Sequence, residues 1–112
     1  MHSHFMRPRN RLYTSAAVMG NVAEARALVD VVFPPAFNDA NRALKARDLA
    51  RALAAARAIR DAVFIAKIRA AAAIAAGEAG AVDVADRARR AGLYADLVWE
   101  WIEELQAEEN KD

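Results

Sequence analysis

The spacing of apolar positions between Asp48 and Ala76 is the strongest structural signal in the chain. With Leu49 taken as position a of a heptad, every a and d position is apolar, and most are alanine. Such a seam lets a neighbouring helix approach closely, because many of its contacts involve only a methyl group. The pattern therefore predicts a long helix over 49–76 that packs against other helices. The seam consists of Leu49, Ala52, Ala56, Ile59, Val63, Ala66, Ala70 and Ala73.

The C-terminal half of this helix carries a second apolar face, formed by Phe64, Ile65 and Ile68. At about 100° per residue these side chains point away from the heptad seam. A helix that is apolar on two faces requires two neighbours. One neighbour is another helix of the chain, and the other is either the C-terminal hairpin or a second subunit. We therefore predict that these three residues bind a partner.

Proline and a change of hydrophobic phase divide the first half of the chain. Pro34-Pro35 are expected to end an apolar helix that follows Gly20, because proline cannot donate to the preceding turn. The phase then shifts near Asp48, which can cap a helix, so we predict separate helices over 36–46 and 49–76.

Glycine divides the second half, where Gly92 is expected to separate helices over 82–91 and 95–108. With a further short helix over 11–19, the chain is predicted to be all-α. We expect a compact bundle of five to six helices around one long alanine-rich helix. Residues 1–10 lack periodicity and are expected to form a flexible arm before a single helical domain over 11–112.

Trp99 is the anomaly of the last predicted helix. It is expected to project on the polar side with Glu100 and Glu103, opposite to the apolar face that contains Trp101. An exposed tryptophan surrounded by charge is typical of an interface anchor, and the alternative is that Trp99 packs under a loop or against the N-terminal segment. We predict partner binding by Trp99, Glu100 and Glu103. The face expected to be buried consists of Leu97, Val98, Trp101, Ile102 and Leu105.

Residues 83–102 contain a small residue four positions before a turn glycine, an apolar residue just after it, and apolar anchors further on. This arrangement resembles the helix-turn-helix DNA-binding family. It departs from the family at Arg87, where an aliphatic residue is usual. The resemblance implies a small DNA-binding regulator or a phage-type packaging protein. The motif consists of Ala88, Ala91-Gly92-Leu93, Val98 and Trp101.

Some charges of this segment favour nucleic-acid binding and others oppose it. Arg87, Arg89 and Arg90 are candidate contacts with nucleic acid or another anion. Glu100 and Glu103 would lie on the outward face of a recognition helix, where phosphates repel them. Nucleic acid is therefore the alternative partner.

Charge is unevenly distributed although the net charge is only +1. Residues 40–69 contain eight Lys and Arg against two Asp, whereas residues 96–112 contain seven Asp and Glu against one Lys. These basic and acidic regions either fold together within one chain, form separate solvated faces, or meet between subunits.

Composition narrows the chemistry further. Alanine accounts for 30 of the 112 residues, and there is no cysteine, which excludes disulfides, thiolate nucleophiles and zinc–sulfur sites. His2 and His4 have no carboxylate partner nearby, so we expect no metal site. The predicted helical domain contains no His, no Cys and no Gly-rich phosphate loop, so we also expect no cofactor and no enzymatic activity. Arg60 and Lys67 occupy heptad e positions, where they either line a pocket for an anionic ligand or cover the border of a helix pair with their stems.

We therefore expect a non-enzymatic helical protein-interaction or assembly module that forms a homo-oligomer. The absence of cysteine and of a membrane-spanning run predicts a cytoplasmic protein without membrane contact. The high alanine and arginine content suggests a bacterial or phage source.

Overall fold

The computed structural model describes residues 20–111. The predicted arm over 1–10 and the predicted helix over 11–19 lie outside this range. The described residues are all-helical, which confirms the all-α class, but the expectation of five to six helices is wrong here. The sequence predicts five helices within this range, whereas the structure has three long ones. They are α1 (20–45), α2 (Leu49–Ala75) and α3 (Ala81–Asn110).

Helix α1 runs through Pro34-Pro35, which were expected to end it. The residues just before them, Leu28–Val32, form a π-helical turn in which Phe33 donates its backbone N–H to the carbonyl of Leu28. A proline ring in a regular α-helix clashes with the carbonyl four residues earlier, and the wider turn relieves this crowding. The prolines therefore open the second α-helical part, Phe33–Lys45.

The predicted break before the long helix is confirmed. The carboxylate of Asp48 accepts the backbone N–H of Arg51 at 3.2 Å and so caps the first turn of α2. Arg47 has a φ of 57°, and Asp48 donates its N–H back to the carbonyl of Ala43 at 2.8 Å. This left-handed turn reverses the chain between α1 and α2.

Helix α3 continues through Gly92, so the predicted separate helices over 82–91 and 95–108 are one helix. Gly92 is buried, and a Cβ built on it would lie 3.0 Å from Nζ of Lys67 on α2. Glycine at this position thus leaves room for a side chain from the neighbouring helix. Because residues 83–102 contain no turn, the helix-turn-helix geometry predicted for them is wrong.

The core lies between the three helices, each of which contacts the other two. Seven of the eight predicted seam residues of α2 are buried, and Leu49 packs against them at the edge. No polar side chain of the described residues is buried. The largest fully buried side chains are Ile59, Val84, Val98 and Ile102.

Polar contacts at the rim hold α1 to its neighbours. Glu78, in the turn between α2 and α3, accepts the backbone N–H of Val22 at 3.2 Å. Glu24 on α1 forms an ion pair with Arg69 on α2 at 2.7 Å. These contacts fix the start of α1 beside the C-terminal end of α2.

Candidate protein interface

The face of α2 opposite to its buried seam is exposed along its whole length. Its positions recur at alternating intervals of four and three residues, which is the spacing of a coiled-coil seam. Helix α2 therefore carries two seams, one covered by α1 and α3 and one facing outward. We call the second one the outer seam. It consists of Ala50, Ala54, Arg57, Asp61, Phe64, Ile68, Ala71 and Ala75.

The bulky part of the outer seam is the second apolar face that the sequence predicts. Phe64 is 64% exposed and Ile68 is 50% exposed, while Ile65 beside them is 42% exposed. Their positions away from the core agree with the helical spacing. Their binding of a partner remains a prediction.

A groove between α2 and α3 borders the outer seam on one side. Arg60 and Lys67 supply two cations to it and Asp96 supplies one carboxylate, and the groove encloses about 180 Å³. The stem of Lys67 lies over Gly92, and Arg60 lies over Trp99. Both side chains thus cover the border of the α2–α3 pair, as one of the two sequence interpretations expects. The groove is lined by Arg60, Val63, Phe64, Lys67, Gly92, Ala95 and Asp96.

Trp99 is not the exposed residue that the sequence predicts. It is half-buried and packs against the core beneath Arg60. Its indole Nε1 is buried without a hydrogen-bond partner. Glu100 and Glu103 are exposed, as expected. An interface that includes these two glutamates therefore lacks the tryptophan anchor proposed for it.

Trp101 and Leu97 were expected in the core, but each is 38% exposed. With Leu93, which is 55% exposed, they form a stripe along α3 at intervals of four residues. These bulky side chains are exposed because α3 faces α2 with its small residues. Small residues allow the closest approach of two helices. The small buried residues of α3 are Ala81, Ala88, Ala91, Gly92 and Ala95.

The three arginines proposed as nucleic-acid contacts are each engaged by a carboxylate. Arg87 forms an ion pair with Asp30 on α1. Arg89 and Arg90 both donate to the carboxylate of Asp86. The distance is 2.9 Å from Nη2 of Arg89 and 2.8 Å from Nε of Arg90. The hydrogen bonds from Arg90 and Arg89 lower the pKa of Asp86 below its ordinary value. A phosphate would have to compete with these partners.

The basic middle and the acidic end of the chain meet within one molecule, where Arg47 pairs with Glu108. Arg57 and Asp61 of the outer seam differ from Arg47 and Glu108 in their lack of such a partner within the described part of the chain. Both are exposed, and neither forms an ion pair with another residue of the range 20–111. Sequence reasoning missed these two residues, although the alternating four- and three-residue spacing runs through them.

Within residues 20–111 no group of three or more His, Cys, Asp and Glu side chains is arranged to hold a metal ion. His2 and His4 lie outside this range. None of the helices in the described part of the chain combines the length and the hydropathy needed to cross a bilayer.

No protein-family model matches the chain, and comparisons with curated proteins and with solved structures found no match. A functional inference therefore starts from the geometry and charges of the exposed faces.

Proposed function

We propose that the chain is a non-enzymatic helical interaction module that self-associates through the outer seam of α2. The observation that carries the proposal is the exposure of Phe64, Ile65 and Ile68 side by side on one helix face. A contiguous apolar patch on a water-facing surface is typical of a protein-interaction site. Burying this patch against a second copy would remove its side chains from water. The removal of apolar surface from water is the main driving force for association.

The size of this face sets the expected strength of association. Helix α2 has 27 residues and is therefore about 40 Å long, and a helix contact strip is about 10 Å wide. This area is smaller than the roughly 800 Å² per partner of a stable standard interface. We expect a concentration-dependent dimer with a Kd on the order of micromolar.

The side chains of the described region favour binding over catalysis. Residues 20–111 contain no His, Cys, Ser or Thr. The shifted pKa values, those of Arg51, Asp86 and Arg90, belong to residues paired with one another or with Asp39 in exposed ion pairs. The lack of cysteine in the sequence is compatible with a reducing compartment, and we propose the cytoplasm.

Two glutamate variants at equally exposed apolar positions test the proposal. Ile68→Glu changes the outer seam, whereas Leu93→Glu changes the stripe on α3. Sedimentation equilibrium of the full chain over a wide concentration range should show a dimer for the wild type and for Leu93→Glu. Ile68→Glu should weaken the dimer at least tenfold, because a charge would have to lose its water at the interface. A wild type that stays monomeric, or equal effects of the two variants, would overturn the proposal.

A further inference from the structure

The outer seam changes in character along its length. Its N-terminal positions, Ala50 and Ala54, are small, and its bulky positions, Phe64 and Ile68, follow the middle of the helix. Between them lies a single pair of opposite charges, Arg57 and Asp61. A seam of this kind does not match a parallel copy of itself, because arginine would then face arginine and aspartate would face aspartate.

An antiparallel copy matches it. When a two-fold axis passes level with Ile59, Phe64 faces the small Ala54 position of the second copy. Ile68 likewise faces the small Ala50 position, so bulky residues pack over small ones on both sides of the axis. Arg57 faces Asp61 of the second copy, and the axis generates this contact twice.

We propose that a second copy of this chain docks antiparallel on the outer seam, with two reciprocal Arg57–Asp61 ion pairs at the centre. The inference rests on the proposed self-association and specifies its partner geometry. A register shifted toward the bulky residues would place Phe64 opposite Ile68, but it would leave both charges facing alanines. Charges taken out of water without a partner are unfavourable, so the centred register is preferred.

The internal ion pairs of the chain support this assignment. Asp86 and Arg90 are four residues apart on α3 and form an ion pair. Arg57 and Asp61 have the same separation on α2 but form none with each other. An ion pair within one helix is more stable when the acidic residue precedes the basic residue by four positions than when the order is reversed. The reversed order on α2 leaves both side chains without an ion-pair partner among residues 20–111, so a second molecule can supply one.

Charge reversal tests the register. Arg57→Asp places like charges at both reciprocal contacts, and Asp61→Arg does the same with the opposite sign. Each single variant should weaken the homodimer at least tenfold at low salt. The double variant R57D/D61R should recover only part of this loss, because its acid-first order also favours an ion pair within its own helix. An equimolar mixture of the two single variants should form a heterodimer, because all of its contacts are attractive. Sedimentation equilibrium measures all four samples.

Failure of the wild type to dimerise would overturn the proposed function as well as this inference. A wild-type dimer that is insensitive to both reversals, or single variants that form no heterodimer when they are mixed, would overturn the register alone. Circular dichroism shows whether each variant folds.

Disulfide trapping provides a second measurement that does not depend on the charges, since the chain has no cysteine of its own. The Ala54→Cys and Phe64→Cys chains should couple when they are mixed under oxidising conditions. If Phe64→Cys couples with Ile68→Cys instead, the shifted register is correct and the proposal is wrong.

Discussion

The guanidinium carbon of Arg60 lies 4.2 Å from the centre of the Trp99 ring, across the contact between α2 and α3. A cation at this distance is attracted by the negative face of the indole. The arginine also shields one side of the ring from water. Trp99 thus contributes to the packing of two helices.

Trp99→Ala should therefore destabilise the protein more than Trp101→Ala does. The first change removes a side chain that packs against the core, and we expect a loss of about 3 kcal/mol in the free energy of unfolding. Trp101 is 38% exposed, so its loss should cost about 1–2 kcal/mol. Urea denaturation followed by circular dichroism measures both values.

Trp99→Phe is the matched control for this prediction. It keeps an aromatic face beneath Arg60 and removes the buried Nε1, which has no hydrogen-bond partner. We expect it to cost about 1 kcal/mol or less, because no satisfied hydrogen bond is lost. Equal losses for Trp99→Ala and Trp101→Ala would contradict the role of Trp99 in the packing of α3 against α2.

Gly92→Ala should leave stability unchanged or raise it by up to about 1 kcal/mol. Gly92 lies inside a helix, where alanine is the better residue. The new Cβ would approach Nζ and Cε of Lys67 at 3.0 and 3.2 Å, and this flexible end can move away. Thermal unfolding should show an equal or higher midpoint.

Gly77→Ala should have the opposite effect. Gly77 has a φ of 68° and a Cβ there would meet no neighbouring atom, so only backbone strain opposes the change. We expect a loss of about 1 kcal/mol. If Gly92→Ala were the more damaging of the two, the position of Lys67 over Gly92 would have to be rigid.

The pKa of Asp86 should lie below its ordinary value and should rise in the Arg90→Ala variant. In the folded chain Arg90 and Arg89 favour the carboxylate form, so the stabilisation is present above the ordinary pKa. It is lost as the pH falls through the lowered pKa. NMR titration of the side-chain carboxyl measures the shift, and Arg42→Ala, in another ion pair, should leave it unchanged.

The parts of the fold that follow from local chemistry were predictable from the sequence. The cap at Asp48, the buried seam of α2 and the outward position of Phe64 each depend on spacing within one helix. Those three features are present in the structure.

The parts that depend on neighbouring helices were not predictable in this way. Gly92 weakens a helix locally, but α3 continues through it because Ala88, Ala91 and Ala95 on either side pack into the core against the other helices. The orientation of α3 follows its small residues, whereas the prediction gave the greatest weight to bulky ones such as Trp101. The candidate interface was predicted only in part, since the prediction named Phe64, Ile65 and Ile68 but neither Arg57 nor Asp61.

The π-helical turn at Leu28–Val32 has a consequence for how the length of α1 can vary. Such a turn holds one residue more than regular α-helix needs over the same rotation. Deleting a residue between Phe33 and Lys45 would rotate everything before it by about 100° and turn Val29 out of the core. A deletion within the π-helical turn would preserve the orientation of both flanks, but it would bring back the clash of the Pro34 ring. A one-residue deletion in α1 is therefore compatible with this fold only if the two prolines are replaced as well.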